Sequence, residues 1–144
     1  MRARTWGGPA VAVGLVLAGC GGDDGPTKAE YVREANAICK RADAASQRTA
    51  RERIARLGGS PTREQLVALV REVALPSIEG QLRDLRALDR PKDDADAVAE
   101  IYDALDGEIA KVRADPALAV AGNPFAGSSA KAHAYGLDAC GRTQ

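Results

Sequence analysis

Cys20 is the residue whose surroundings most plainly set up a reaction. The run Leu17-Ala18-Gly19-Cys20 closes a short apolar segment and puts a thiol just past two small residues. That is the pattern of a bacterial lipobox, in which the thiol takes a diacylglyceryl group and everything before it is cut away. Arg2 and Arg4 supply a charged start and Val11–Ala18 an apolar stretch, so residues 1–19 have the layout of an export signal. A helix needs about 20 apolar residues to span a bilayer, which makes this stretch a signal core rather than a membrane span. Residues 20–26, rich in glycine and aspartate, read as a polar tether with nothing to pack. Acyl chains contribute about 0.8 kcal/mol per buried CH₂, and two or more of them hold an anchor stably. The address this predicts is the extracytoplasmic face of the cell membrane. The alternative is an ordinary secretory signal that happens to contain a cysteine.

The other two cysteines follow from this one. The chain has three, and an odd number in an exported protein calls for an explanation. Lipidation consumes Cys20 and leaves Cys39 and Cys140 as an even pair in an oxidising compartment. A disulfide between them is the expectation, with two buried free thiols as the alternative. A metal centre has less to stand on, because there is no Cys-x-x-Cys and only one histidine.

Other candidate chemistry is thin. His133 lies four residues after Ser129, so the two could meet on one helix face. A hydrolase would also need an orienting group and an oxyanion hole, and neither is legible. Asp96, Glu100 and Asp103 fall near one face of an acidic segment, but no loop has calcium-ligand spacing and no Glu-x-x-His is present. A solvated face is the better reading. The glycines around Cys20 follow a signal core rather than a strand and precede no Gly-Lys-Ser, which removes a phosphate loop. The sole methionine, Met1, falls in the signal, so copper handling has no ligands. No cofactor is implied. Tyr31, Tyr102 and Tyr135 could line a small-molecule slot between helices, although tyrosines on an apolar stripe are more often core with hydroxyls at its rim.

Any of these groups must be positioned by helices. Alanine is abundant, aromatics make up 3% of the chain, and β-branched runs are missing. Thr27 and Glu30 form a capping-box signature, and Tyr31, Ala35, Ile38, Ala42 and Ala45 recur at helical spacing up to Gly58-Gly59. Ser60-Pro61 opens the next helix, with serine as cap. Its face is Leu66, Leu69, Val70 and Val73, and it resumes as Ile78, Leu82, Leu85 and Leu88, out of phase by about a residue. Pro76 lies between the two, so a kinked helix is expected, with two separate helices as the alternative. A third helix starts near Asp93, with acidic residues on its positive end, and closes at Asp115-Pro116. Residues 116–124 read as a loop or one short helical turn. A last helix carries Phe125 to Tyr135 and is capped by Gly136. The expected fold is all-α: an up-and-down bundle of about four helices over residues 27–144, stapled by a disulfide.

Three runs resemble small lipoproteins and secreted proteins of actinobacterial type. They are Tyr31-Val32-Arg33-Glu34-Ala35-Asn36-Ala37-Ile38-Cys39, then Leu85-Arg86-Ala87-Leu88 followed by Pro91, and Tyr135-Gly136-Leu137-Asp138-Ala139-Cys140-Gly141. The resemblance implies a helical fold in which a cysteine pair ties the first helix to the C-terminal segment. It implies no activity, cofactor or catalytic residue.

Charge narrows the partners. The chain carries 20 basic and 20 acidic side chains, and loss of Arg2 and Arg4 would leave a small negative excess. Nucleic-acid binding therefore has no electrostatic support. The sequence implies a lipid-anchored, extracytoplasmic, non-enzymatic domain that binds a protein partner, an envelope component or a small ligand. Its rivals are an envelope enzyme whose site only the fold assembles, and a structural spacer. An enzyme would show a concave pocket holding His133 or carboxylates with perturbed pKa values. A protein partner would be favoured by an exposed apolar patch.

Overall fold

The computed structural model describes residues 25–141. The expected export signal, Cys20 and most of the expected tether lie outside them. Among the described residues there is no strand, and no helix is long and apolar enough to cross a membrane.

The first helix, α1, spans Lys28–Arg56. It starts where the sequence predicts. The Thr27 hydroxyl accepts from the Glu30 N–H at 3.3 Å, and the Glu30 carboxylate accepts from the Thr27 N–H at 2.9 Å. The Thr27 hydroxyl also donates to the Glu30 carboxylate at 2.7 Å, and this bond together with the one from the Thr27 N–H holds the Glu30 carboxyl below its ordinary pKa. Its stripe differs from the expected one. Tyr31, Ala35 and Cys39 are buried, Ile38 and Ala42 half-buried, and Ala45 exposed. A spacing of four carries the buried line through the cysteine, and beyond Cys39 no α1 residue is fully buried.

The second helix begins later than Ser60. Thr62 caps α2, Arg63–Leu69, through a second reciprocal box with Gln65, at 2.8 and 3.3 Å. Ser60 loses the contest because Arg63, three residues on, offers no acceptor to return its backbone N–H. The chain then runs through a π-helical turn, Val70–Ala74, straight into α3, Leu75–Arg86. The Leu75 N–H reaches back five residues to the Val70 carbonyl. Pro76 has no N–H to give Glu72, and its ring crowds that carbonyl. Widening the turn ahead of it by one residue relieves both problems. The break in regular helix therefore falls before Pro76, which sits in the first turn of α3. The inserted residue is the phase slip between Val73 and Ile78.

A 3₁₀ turn, Lys92–Asp94, leads into α4, Ala95–Ala114. A single turn, α5, covers Leu118–Ala121, and α6 covers Ala126–Tyr135. The N-terminus of α6 is capped from outside: the Glu108 carboxylate on α4 accepts from the N–H groups of Gly127 (3.0 Å) and Ser128 (3.2 Å). A Cβ on Gly127 would stand 2.7 Å from that carboxylate, so glycine is what lets it approach. At the other end Gly136 takes φ 104°, and the Leu137 N–H bonds the Ala132 carbonyl at 2.8 Å in a Schellman closure.

The bundle is assembled in chain order. α1 packs on α3, α3 on α4, and α4 on α6. The core is Tyr31, Ala35 and Cys39 from α1, Leu75, Leu82 and Leu85 from α3, and Val98, Ile101, Tyr102, Ile109 and Val112 from α4. Ala132, Tyr135, Leu137 and Ala139 complete it from α6 and the tail behind it. That tail closes the ring. Cys140 is bonded to Cys39 with Cα atoms 5.1 Å apart. Three residues before Cys39, Asn36 clamps the same segment twice: its amide donates to the Gly136 carbonyl at 3.0 Å and its oxygen accepts from the Ala139 N–H at 2.7 Å.

The bridge spans 101 positions of sequence, a loop for which the chain-entropy account gives about 4–5 kcal/mol. Cys39→Ser with Cys140→Ser should lose stability of that order, read as a lower urea midpoint at unchanged helical content. Peptide mapping without reductant should recover the two cysteine peptides joined, and free thiols at both positions would contradict the staple.

Candidate functional site

The three tyrosines do not share one slot. Tyr31 and Tyr102 meet hydroxyl to hydroxyl inside the core, and the Tyr102 O–H donates to the Leu85 carbonyl at 3.1 Å. Tyr135 packs edge-on against Tyr31, centroids 6.2 Å apart, and donates to the Asp94 carboxylate at 3.0 Å. Asp94 thus turns away from capping α4, and Lys28 lies 4.1 Å over the Tyr135 ring. This network joins α1, α3, α4 and α6 at the proximal end of the bundle, the end from which α1 starts. Tyr102 lines the inner cleft described below, Tyr135 a shallow surface hollow beside Lys28 and Lys131, and Tyr31 neither.

The remaining candidates also separate. Ser129 is nine-tenths buried and faces inward, whereas His133 is mostly exposed. Asp138 supplies an orienting carboxylate, 2.6 Å from His133 Nδ1, which the sequence does not reveal. No hydrogen bond joins the Ser129 hydroxyl to the imidazole, and the imidazole lines none of the cavities. On the acidic segment of α4, Glu100 pairs with Lys131 at 3.2 Å and Asp106 with Arg86, while Asp96 and Asp103 make no ion pair among the described residues. No group of three or more histidine, cysteine or acidic residues among the described residues could hold a metal ion.

What the fold does assemble is a two-part cleft between α1, α3, α4 and α6. The inner chamber, about 140 Å³, has an apolar floor of Leu85, Ile101, Leu105 and Leu137, with Cys140 at its side. An outer vestibule of about 300 Å³ opens toward Ser46, Gln47, Ser77 and Asn123. Five residues border both and make the neck: Asp43, Ile78, Gln81, Phe125 and Ser129. Gln81 is held by its amide, which donates to Cys39 Sγ at 3.2 Å. Ser128 satisfies itself on the Phe125 carbonyl at 3.3 Å. Ser129 does not. Its hydroxyl makes no hydrogen bond with another described residue and is the part of the side chain left open to the cleft, since no buried side-chain polar atom among the described residues lacks a partner.

A further concavity, about 360 Å³, lies at the distal end between the far half of α1, α2 and α5. It is lined almost wholly by aliphatic side chains. Sequence periodicity marks Leu66, Leu69 and Val70 as a buried face, yet no residue of α2 is fully buried. Ser129, Gln81 and Asp43 could be singled out only as polar residues interrupting helical stripes.

No protein-family model matches the chain, and comparison with curated proteins and with solved structures returned no match.

Burial lifts the pKa of all three tyrosines above its ordinary value near 10. The Tyr31 hydroxyl adds to this at Tyr102, and the Asp94 carboxylate at Tyr135. Because the unfolded chain gives up these protons first, stability is full below about pH 10 and falls as pH rises beyond it. Urea titrations across that range should show the decline. Tyr102→Phe should flatten it by about 1.4 kcal/mol per pH unit, one proton's worth. An unchanged slope would separate Tyr102 from the effect.

Proposed function

We propose that the chain is a lipid-anchored, extracytoplasmic binding domain that holds a small amphipathic molecule in the inner cleft. The observation that carries the reading is Ser129: a residue nine-tenths buried whose hydroxyl makes no hydrogen bond with another described residue and stays open to the cleft, at the neck of an apolar chamber. Gln81 borders the same neck. Chamber size and chemistry describe the ligand. An apolar cavity of about 150 Å³ accepts a benzene-sized body. The neck asks for a hydroxyl or amine on that body. Two fixed polar groups over an aliphatic floor are the usual make-up of a small-molecule site.

Binding is favoured over catalysis by where the titratable groups stand. The only histidine is paired on the surface, and the carboxyl groups that shift, Glu30 and Glu64, go down because helix-cap hydrogen bonds favour their charged forms. Anchoring at Cys20 rests on the lipobox sequence, and kinship with actinobacterial lipoproteins on the three runs quoted above.

Benzyl alcohol and benzylamine serve as probes. Titrated into the protein, they should shift the resonances of Ile78, Phe125 and Ser129 together. Ser129→Ala should weaken binding about three- to tenfold, the worth of one hydrogen bond. Ser129→Leu, which fills the neck, should abolish it at a retained melting temperature. No shifts at saturating probe, or shifts indifferent to both substitutions, would remove the cleft from consideration.

Anchoring has its own readout. Cys20→Ala or globomycin treatment should move the protein from the membrane fraction to the soluble one. Membrane association surviving both would dismiss the acyl anchor.

A further inference from the structure

We infer that the distal groove between α1 and α2 docks an acidic, amphipathic helix of a protein partner, independently of any ligand in the inner cleft. The groove is lined by Ala50 and Ile54 from α1, Leu66 and Leu69 from α2, Val70 from the π turn, and Val120 from α5. Leu57, at the C-terminal cap of α1, and Leu118, the first residue of α5, are the exposed large apolar residues among the described residues, at 40% and 41%. Four consecutive apolar residues in α2, Leu66 to Leu69, are thus only half covered by the chain itself. A concave aliphatic trough of this kind matches the ridge of an apolar helix face.

Charge decides the occupant. Residues 48–72 carry six arginines and three glutamates, all exposed. Arg53 is taken up by Glu72 at 3.3 Å, while Arg48, Arg51, Arg56, Arg63 and Arg71 make no ion pair among the described residues. The rest of residues 25–141 holds eleven basic and fifteen acidic side chains, so the positive excess is confined to the end that bears the groove. Arg63 stands one turn before Leu66, and Arg51 and Arg56 flank Ile54 in sequence, so guanidinium groups unpaired among the described residues border the trough. Positive ends steer negative partners and repel positive ones. A second copy joined through the same face would bring two positive ends together. A bilayer favours apolar side chains that project, and here Leu66, Leu69 and Val70 are recessed between helices.

The test uses lipidated protein reconstituted in phosphatidylcholine vesicles. Its probe is a fluorescein-labelled amphipathic helical peptide with leucines on one face and glutamates on the other. Anisotropy should report saturable binding that weakens as salt is raised, while the same peptide with lysine for glutamate should not bind. Leu69→Glu should weaken binding at least tenfold, and Arg63→Glu with Arg71→Glu severalfold. The arginine variant touches no packed residue, so it decides the matter even where Leu69→Glu is unstable. Ser129→Leu should leave peptide binding unchanged, which separates this groove from the cleft. Equal binding of both peptides, or none, overturns the proposal. So does a concentration-dependent dimer abolished by Leu69→Glu. So, too, does hydrogen-exchange protection of the α2 amides conferred by phosphatidylglycerol vesicles alone.

Discussion

The bundle depends on one closure, the tail behind α6 held against the first turns of α1. Helix packing runs α1 to α3, α3 to α4 and α4 to α6, which leaves the first and last helices to be joined. Cys39–Cys140 and the two Asn36 hydrogen bonds make that joint within one turn of α1. A covalent bond of this reach acts mainly on the unfolded chain, whose freedom it removes. Asn36 acts on the folded one, satisfying a carbonyl and an N–H at the exposed end of a Schellman turn. The joint also shapes the cleft, since Cys140 and Leu137 line the chamber and Gln81, which borders it, donates to Cys39 Sγ.

The core that this closure protects is poor in aromatic bulk and carries a hydroxyl network at its centre. A chain with one tryptophan, one phenylalanine and three tyrosines cannot fill a bundle with aromatic bulk. It places two of those tyrosines at the centre and joins their hydroxyls to each other and to the Leu85 carbonyl. A fully satisfied buried network fixes which helices meet and in what register, because any slip strands a hydroxyl. Alanine at 35 and 132 lets the backbones approach closely enough for those bonds to form.

How far the sequence reveals this depends on the range of each interaction. Thr27 with Glu30, the Gly58-Gly59 stop and the Gly136 stop are local, and each acts where the pattern puts it. The cap of α2 shows the limit of a one-residue signal: Ser60-Pro61 reads well, but Thr62 has Gln65 to complete the pair. The phase slip around Pro76 is visible as a missing register, while its resolution as a π turn ahead of the proline needs the backbone. Asn36, Glu108 and Ser129 are opaque in the sequence. A polar residue on a helical stripe looks the same whether it clamps a tail, caps a distant helix or faces an empty chamber. The tyrosine slot fails to appear as one site for a related reason, since spacing along three helices says nothing of which hydroxyls meet.

The same closure explains why the two ends of the molecule differ. α1 is 29 residues long, about 43 Å at 1.5 Å per residue, and its buried residues all fall in the first half. Everything that ties the ring together, the disulfide, Asn36 and the tyrosines, meets that half. The far half faces α2 and α5, helices of seven and four residues, too short to cover it. The π turn contributes to the mismatch by advancing the apolar face one residue between α2 and α3, so a single rod presents two differently directed faces. One packs into the closed core and the other remains half open beside a run of arginines. With an anchor at Cys20, only a few residues before α1, the sealed end would stand next to the membrane and the open, positive end farthest from it. An exposed apolar trough normally invites self-association. Here the arginines around it oppose that, and so the feature that leaves the groove uncovered by its own chain comes with the charge that keeps copies of the chain out of it.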